Sequence, residues 1–251
     1  MAARLQFKPP WSPDLEALNE GIWRVRGDIK HGMNVYLLAD GDGVTAFDAG
    51  TKPMVKAVRT GAERLGGLKR VVLGHSHSDH RGTAPYLDAP VYCHVDEKVW
   101  AEKPTWQQNA PYWDMDLLSV GYVRWLYKHY LHDRWDGGAV PIAGTLTEGD
   151  DVCGFEVKHL PGHSPGQIAL WREADGLAIT TDVVYFADSE RLKPLDYPNV
   201  PHRAWNWDHE KARESVHKLA ELGPRTLYPG HEEPHSSQRL GEELERAADA
   251  G

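Results

Sequence analysis

The run Gly74-His75-Ser76-His77-Ser78-Asp79-His80 follows directly on Arg70-Val71-Val72-Leu73, a short apolar stretch that reads as a buried strand. His75 and His77 are two residues apart on an extended segment, so their side chains point to the same side. If the chain turns into a helix at Asp79, that carboxylate and His80 swing round to face the same space. Imidazole nitrogen and carboxylate oxygen suit Zn²⁺, and also Fe, Mn or Co.

Strand-like and helix-like stretches alternate on both sides of this run. Upstream, Ile22–Arg26, Val35–Ala39 and Val44–Phe47 are β-rich, with Asp40-Gly41-Asp42-Gly43 as a hairpin turn. A helix is expected from the Thr51 cap, with Val55, Val58, Ala62 and Leu65 as its apolar stripe and Gly66-Gly67 as its stop. Downstream, strands are predicted at Val91–Cys93, Thr145–Thr147, Phe155–Leu160, Gln167–Trp171, Leu177–Thr180 and Thr226–Tyr228. A helix is predicted over Asp208–Leu222, and a polar helix closes the chain. There is no internal repeat, low-complexity tract or evident linker, so residues 1–251 read as one domain.

Three further positions share one local design, a strand end followed by a turn. They are His163 in Leu160-Pro161-Gly162-His163-Ser164, Asp182 in Thr180-Thr181-Asp182, and His231 in Tyr228-Pro229-Gly230-His231. Any one alone reads as a core or surface residue, and Asp182 alone as a turn or cap. Together they supply a ligand set richer than one loop provides. A closed structural zinc site is typically rich in cysteine, and no cysteine is near.

HSHSDH, PGHSPG, TTD and PGHEE, in that order, resemble the ligand motifs of the metallo-β-lactamase superfamily in its HxHxDH branch, over about residues 22–235. Asp48, in Thr45-Ala46-Phe47-Asp48-Ala49-Gly50-Thr51, matches a family position that supports the metal loop from behind. The resemblance implies that His75, His77 and His163 hold one metal, that Asp79, His80 and His231 hold the other, and that Asp182 bridges them. It implies an α/β fold, an αββα sandwich of two mixed β-sheets flanked by helices. It also implies two divalent ions, zinc first with Fe, Mn or Co as alternatives, sharing a hydroxide that attacks a carbonyl carbon. Asp79 is expected to take part in proton transfer.

Within the superfamily, secreted β-lactamases lack an aspartate at the bridging position, nucleases add a basic module, and flavin-dependent members add a flavodoxin domain. Persulfide-oxidising dioxygenases use a single iron and fewer ligands. Glyoxalase II-like thioesterases share HxHxDH and the bridging aspartate but add a C-terminal helical domain, whereas this chain ends 20 residues after His231 in an acidic tail. N-acyl homoserine lactonases look closer, because they carry a tyrosine three residues after the bridging aspartate, and Tyr185 stands there. The resemblance thus favours a lactonase in which Tyr185 steadies the oxyanion, with packing at a strand end as the plain alternative for that residue. A glyoxalase II-like thioesterase comes second. A non-catalytic metal-binding module is disfavoured, because no ligand is missing.

Composition narrows the partners. The chain has 251 residues, a net charge of −9 and 14 histidines, and no basic run suited to a phosphate backbone. No stretch suits an export signal or membrane span, so the expected location is cytoplasmic. Cys93 and Cys153 are then expected to be reduced and buried. Residues 99–135 hold five of the ten tryptophans, Trp100, Trp106, Trp113, Trp125 and Trp135, with Tyr112, Tyr122, Tyr127 and Tyr130. This mainly helical segment reads as a wall for an apolar acyl group, a homodimer interface, or core. The expected partner is a small molecule with an apolar acyl part, with no nucleic acid and no membrane.

Overall fold

The protein is described by a computed structural model covering residues 15–27, 32–105, 121–188 and 193–251. Its first seven strands form one mixed sheet in sequence order: β1 (Leu15–Asn19), β2 (Ile22–Gly27), β3 (Met33–Asp40), β4 (Gly43–Phe47), β5 (Leu68–Val72), β6 (Val91–His94) and β7 (Ile142–Leu146). Neighbours are antiparallel from β1 to β4 and parallel from β4 to β7. The chain then makes β8 (Asp151–Val152), β9 (Phe155–His159), β10 (Ile168–Arg172) and β11 (Leu177–Thr181). A separate hairpin, β12 (Tyr185–Asp188) with β13 (Lys193–Asn199), precedes β14 (Thr226–Pro229) and β15 (His235–Ser236). The second sheet runs β15-β14-β11-β10-β9-β8, with one parallel pair, β11 and β14.

Three apolar clusters explain the layering. Tyr36, Leu38, Phe47 and Val72 from the first sheet meet Val157, Ile168, Leu170 and Ile179 from the second. On the outer face of the first sheet, Val25, Val35 and Leu37 pack with Val58 and Ala62 of the helix Val55–Arg64. On the outer face of the second, Ala169 and Ala178 pack with Val216 and Leu219 of the helix His209–Glu221 and Leu244 of the helix Leu240–Ala250. Successive strand residues point to opposite faces, and here both faces are covered. That is why β3 is buried at six consecutive positions instead of alternating. The result is the expected αββα sandwich of two mixed sheets.

Several local expectations need correction. Thr51 makes no side-chain cap; Pro53 falls in a 3-10 turn, Lys52–Met54, and the α-helix starts at Val55. The closing helix is amphipathic, because Leu240, Leu244, Ala247 and Ala248 are buried under it. β1, β12 and β13 were not expected. Cys93 is buried, but Cys153 is partly exposed in a tight turn; both are free thiols. Within 99–135, the described residues form helices Lys98–Glu102 and Gly121–Leu126, a π-helical turn Tyr127–His132 and a last turn Asp133–Trp135; Trp106, Tyr112 and Trp113 lie outside the described residues. Among the described residues, no helix is long and apolar enough to cross a membrane.

Candidate metal centre

β5 delivers the ligand loop to the sheet edge. The chain bends at Gly74 and again at His77, whose backbone is still extended, and becomes helical at Ser78, in the turn Ser78–Arg81 that carries Asp79 and His80. The other ligands follow β9 (His163), β11 (Asp182) and β14 (His231), so the two sheets supply the centre from adjoining edges. Three of the four described non-glycine residues with left-handed backbone, Asp48 (φ 61°), Thr181 (φ 44°) and Glu232 (φ 63°), adjoin the ligands. Such strain concentrates where a fold must aim side chains. Gly230 permits the last approach: a Cβ there would stand 2.5 Å from Asp182 Oδ1 and 2.8 Å from the His80 ring.

All seven expected ligands are brought together. The ligand atoms of His75, His77 and His163 lie within 4.8 Å of one another, and so do those of Asp79, His80 and His231. Asp182 stands between the two groups. Its Oδ2 is 3.9 Å from His75 Nε2, 3.3 Å from His80 Nε2, 3.4 Å from His163 Nε2 and 3.4 Å from His231 Nε2. Asp79 Oδ2 is 3.6 Å from His231 Nε2. His75, His77, His80, His163 and Asp182 are buried, whereas the Asp79 and His231 side chains keep about a fifth of their exposure, so the centre opens on that side.

The imidazoles are held by their outer nitrogens. His80 Nδ1–H donates to Asp48 Oδ2 at 2.8 Å, and His231 Nδ1–H donates to the Gly32 carbonyl at 2.7 Å. His163 Nδ1 is 3.3 Å from Asn206 Oδ1, and His75 Nδ1 is 3.2 Å from Thr181 Oγ1. Asp48 also accepts from the Gly74 amide at 2.7 Å, which fixes the start of the ligand loop. These contacts aim Nε2 inward. The Nε2 atoms of His75, His80 and His163, with Asp182 Oδ1, are buried without a hydrogen-bond partner. Buried polar atoms are nearly always paired, so this cluster of inward lone pairs fits divalent cations. Asp48 also lies near His75 and His80, but its oxygen faces the outer nitrogen of His80, the arrangement that fixes a metal-ligating histidine from behind.

The cluster is electrostatically divided. Burial and the neighbouring imidazoles hold His75 well below its ordinary value. Burial also depresses His80, but the Asp182 and Asp48 carboxylates outweigh it and raise that ring well above its ordinary value. His231 is pushed up to about 10, again by Asp182 against the pull of burial. Burial and the Asp182 charge raise the Tyr185 phenol.

Tyr185 opens β12, and its hydroxyl donates to Asp182 Oδ2 at 2.8 Å. Its ring centre is 6.2 Å from that of His163 and 5.7 Å from that of His231, between the two ligand groups. Trp100 stacks on His77 with ring centres 6.3 Å apart. Tyr127 turns inward against Trp205 and Trp135, whereas Tyr122, Trp125 and Tyr130 are exposed.

Sequence reasoning missed several supporting residues. Glu97 is a fully buried carboxylate between two ligand loops, and Asn206 fixes His163. Arg81, also buried, donates through Nε to the Ser76 carbonyl at 2.9 Å and pairs with Asp136. A charged residue at such a position looks like a solvated one until its surroundings are known.

A family model described as the metallo-beta-lactamase superfamily matches residues 31–231 of the chain. The probable metallo-hydrolase YflN of Bacillus subtilis (strain 168) is 28% identical over 192 residues, covering 72% of this chain and 70% of that protein. A hydroxyacylglutathione hydrolase of Bdellovibrio bacteriovorus is 29% identical over 170 residues, 66% of this chain and 49% of that protein. The chain therefore matches about half the length of that enzyme. Among solved structures, a metallo-beta-lactamase family protein from Thermus thermophilus superposes with a TM-score of 0.63 at 23% identity, covering 93% of this chain and 81% of that one.

Proposed function

The chain belongs to the metallo-beta-lactamase superfamily, and on that premise we propose that it is a dinuclear metal hydrolase opening an ester-type carbonyl, a lactone first. The observation that carries the reading is the position of Asp182 Oδ2, within 3.3–3.9 Å of imidazole nitrogens from both ligand groups. His75, His77 and His163 would hold one ion and Asp79, His80 and His231 the other, with Asp182 shared. Two such ions supply Lewis acidity and a water of lowered pKa; the histidine and carboxylate donors suit zinc and also iron, manganese or cobalt.

The chain's own groups orient and protonate. Tyr185 stands between the two ligand groups, where its hydroxyl can turn from Asp182 to a substrate carbonyl oxygen and steady the charge that develops there. Asp79, on the open side, would pass a proton to the leaving oxygen or sulfur. Trp100 beside His77 offers an apolar wall for an acyl part.

A thioester is the second reading, favoured by the similarity to a hydroxyacylglutathione hydrolase. Both are tested together by assaying the metal-loaded protein for proton release on a medium-chain N-acyl homoserine lactone and for thiol release on a hydroxyacyl thioester of glutathione. Turnover of the lactone, abolished by chelation, is expected. Turnover of the thioester alone would replace the lactone reading, and turnover of neither would remove the ester-type assignment.

A further inference from the structure

We propose that Glu97 is a positioning residue: it locks the loop carrying His75 and His77 to the loop carrying His163, and so sets how tightly the three-histidine half of the centre holds its ion. This rests on the reading of that half as metal-binding.

Glu97 ends a short 3-10 turn, Val95–Glu97, capped by His94, whose Nδ1 accepts from the Asp96 amide at 3.2 Å. The side chain is wholly buried, and its two oxygens divide between the two loops. Oε1 accepts from the Ser76 amide at 2.9 Å and the Ser76 hydroxyl at 2.7 Å. Oε2 accepts from the Ser164 hydroxyl at 2.9 Å and the Gly166 amide at 2.8 Å. Ser76 lies between His75 and His77, and Ser164 directly follows His163. One carboxylate thus bridges the segments that carry all three histidines.

The fit is close on both sides. A Cβ at Gly166 would stand 2.5 Å from the Glu97 backbone nitrogen, so that loop is pressed against the Glu97 turn. The Ser76 peptide is held at both ends, its amide by Glu97 and its carbonyl by Arg81. Every partner of Glu97 is a donor, so the position needs two acceptor oxygens. A glutamine has one acceptor and one donor end; in whichever loop meets its amide nitrogen, the serine hydroxyl can turn to accept, but the backbone amide of Ser76 or Gly166 loses its acceptor. An unmatched buried donor is costly, and the loop relaxes away. Contacts that orient ligands in this way commonly change metal affinity by about 10–100-fold.

The test uses the full chain loaded with cobalt(II), with ions per chain and the cobalt ligand-field spectrum read during graded competition by a chelator. His77→Ala and His231→Ala give the reference spectra for loss of each half. Glu97→Gln is expected to release one ion at about 10–100-fold lower chelator concentration. The spectrum left behind should match that of His77→Ala, and the second ion should leave as in the wild type. Ser164→Ala, which removes one of the four hydrogen bonds, should weaken the same half by a smaller factor; it decides the question on the same criterion if Glu97→Gln does not fold. Retention unchanged from the wild type, equal weakening of both ions, or loss from the His231 half would overturn the proposal. A wild type that retains no cobalt would instead overturn the metal reading beneath it.

Discussion

The Tyr185 hydroxyl donates to Asp182 Oδ2 at 2.8 Å, which ties the first residue of the separate β12–β13 hairpin to the carboxylate at the middle of the centre. A phenol there can serve a substrate oxygen without leaving its place between His163 and His231. Tyr185→Phe is therefore expected to keep its metal content and to lose about 100-fold in kcat on the cleaved substrate, the scale of one oxyanion donor. An unchanged kcat would leave Tyr185 with packing alone.

Asp48 joins the Gly74 amide to His80 Nδ1 from a left-handed backbone position. Asparagine tolerates that conformation, so Asp48→Asn tests the charge with little backbone cost. The ion in the Asp79, His80 and His231 half is expected to bind about 10–100-fold more weakly, read by chelator competition. Affinity equal to the wild type would mean that the carboxylate charge behind His80 is irrelevant to binding.

Arg81 pairs with Asp136 through two hydrogen bonds, at 2.7 and 2.9 Å, and anchors the end of the aromatic segment to the ligand loop. The guanidinium is buried, while Asp136 keeps a quarter of its exposure. Asp136→Ala would leave the buried guanidinium its Ser76 and Gly138 carbonyl partners but no counter-charge, and is expected to cost about 3 kcal/mol in urea denaturation. Replacing both residues with apolar ones of similar volume should recover part of that loss. A cost of Asp136→Ala below about 0.5 kcal/mol, ordinary for surface changes, would show that the pair holds nothing.

His94 and His159 stack with ring centres 3.9 Å apart, behind the Glu97 turn. Burial, then the neighbouring His159, holds His94 below its ordinary 6.5, while Asp96 and Glu148 pull it upward. The unfolded chain therefore takes up this proton first as pH falls. The stability owed to the neutral ring is present above pH 6.5 and is lost as pH drops through that value towards the lower folded one. His94→Asn keeps an acceptor for the Asp96 amide but cannot titrate. The stability difference between wild type and variant is expected to shrink between about pH 8 and pH 5; a gap that stays constant or widens would contradict this account.

The clustering of the seven side chains was legible because each one follows a strand end, so short motifs carry the spatial information: HSHSDH after β5, His163 after β9, Asp182 after β11 and His231 after β14. The central strands were legible because burial on both faces leaves unbroken apolar runs. β1 was not, since Leu15-Glu16-Ala17-Leu18-Asn19 is an edge strand that is mostly exposed and lacks a clear period. β13 was hidden by Pro194 and Pro198 within its Lys193–Asn199 span, although two-stranded edges tolerate proline. Glu97 and Arg81 could not be found from their neighbours in sequence. Their partners Ser164, Gly166 and Asp136 are tens of residues away, and only folding shows that these charges are enclosed.

The most direct test of the account is the number of ions held per chain. The protein would be loaded with excess zinc, separated from free metal by gel filtration, and analysed for metal against protein. Two ions per wild-type chain are expected, falling in Asp182→Ala, which removes the carboxylate standing between the two groups. One ion or none in the wild type, or two in Asp182→Ala with undiminished affinity, would contradict a shared dinuclear centre.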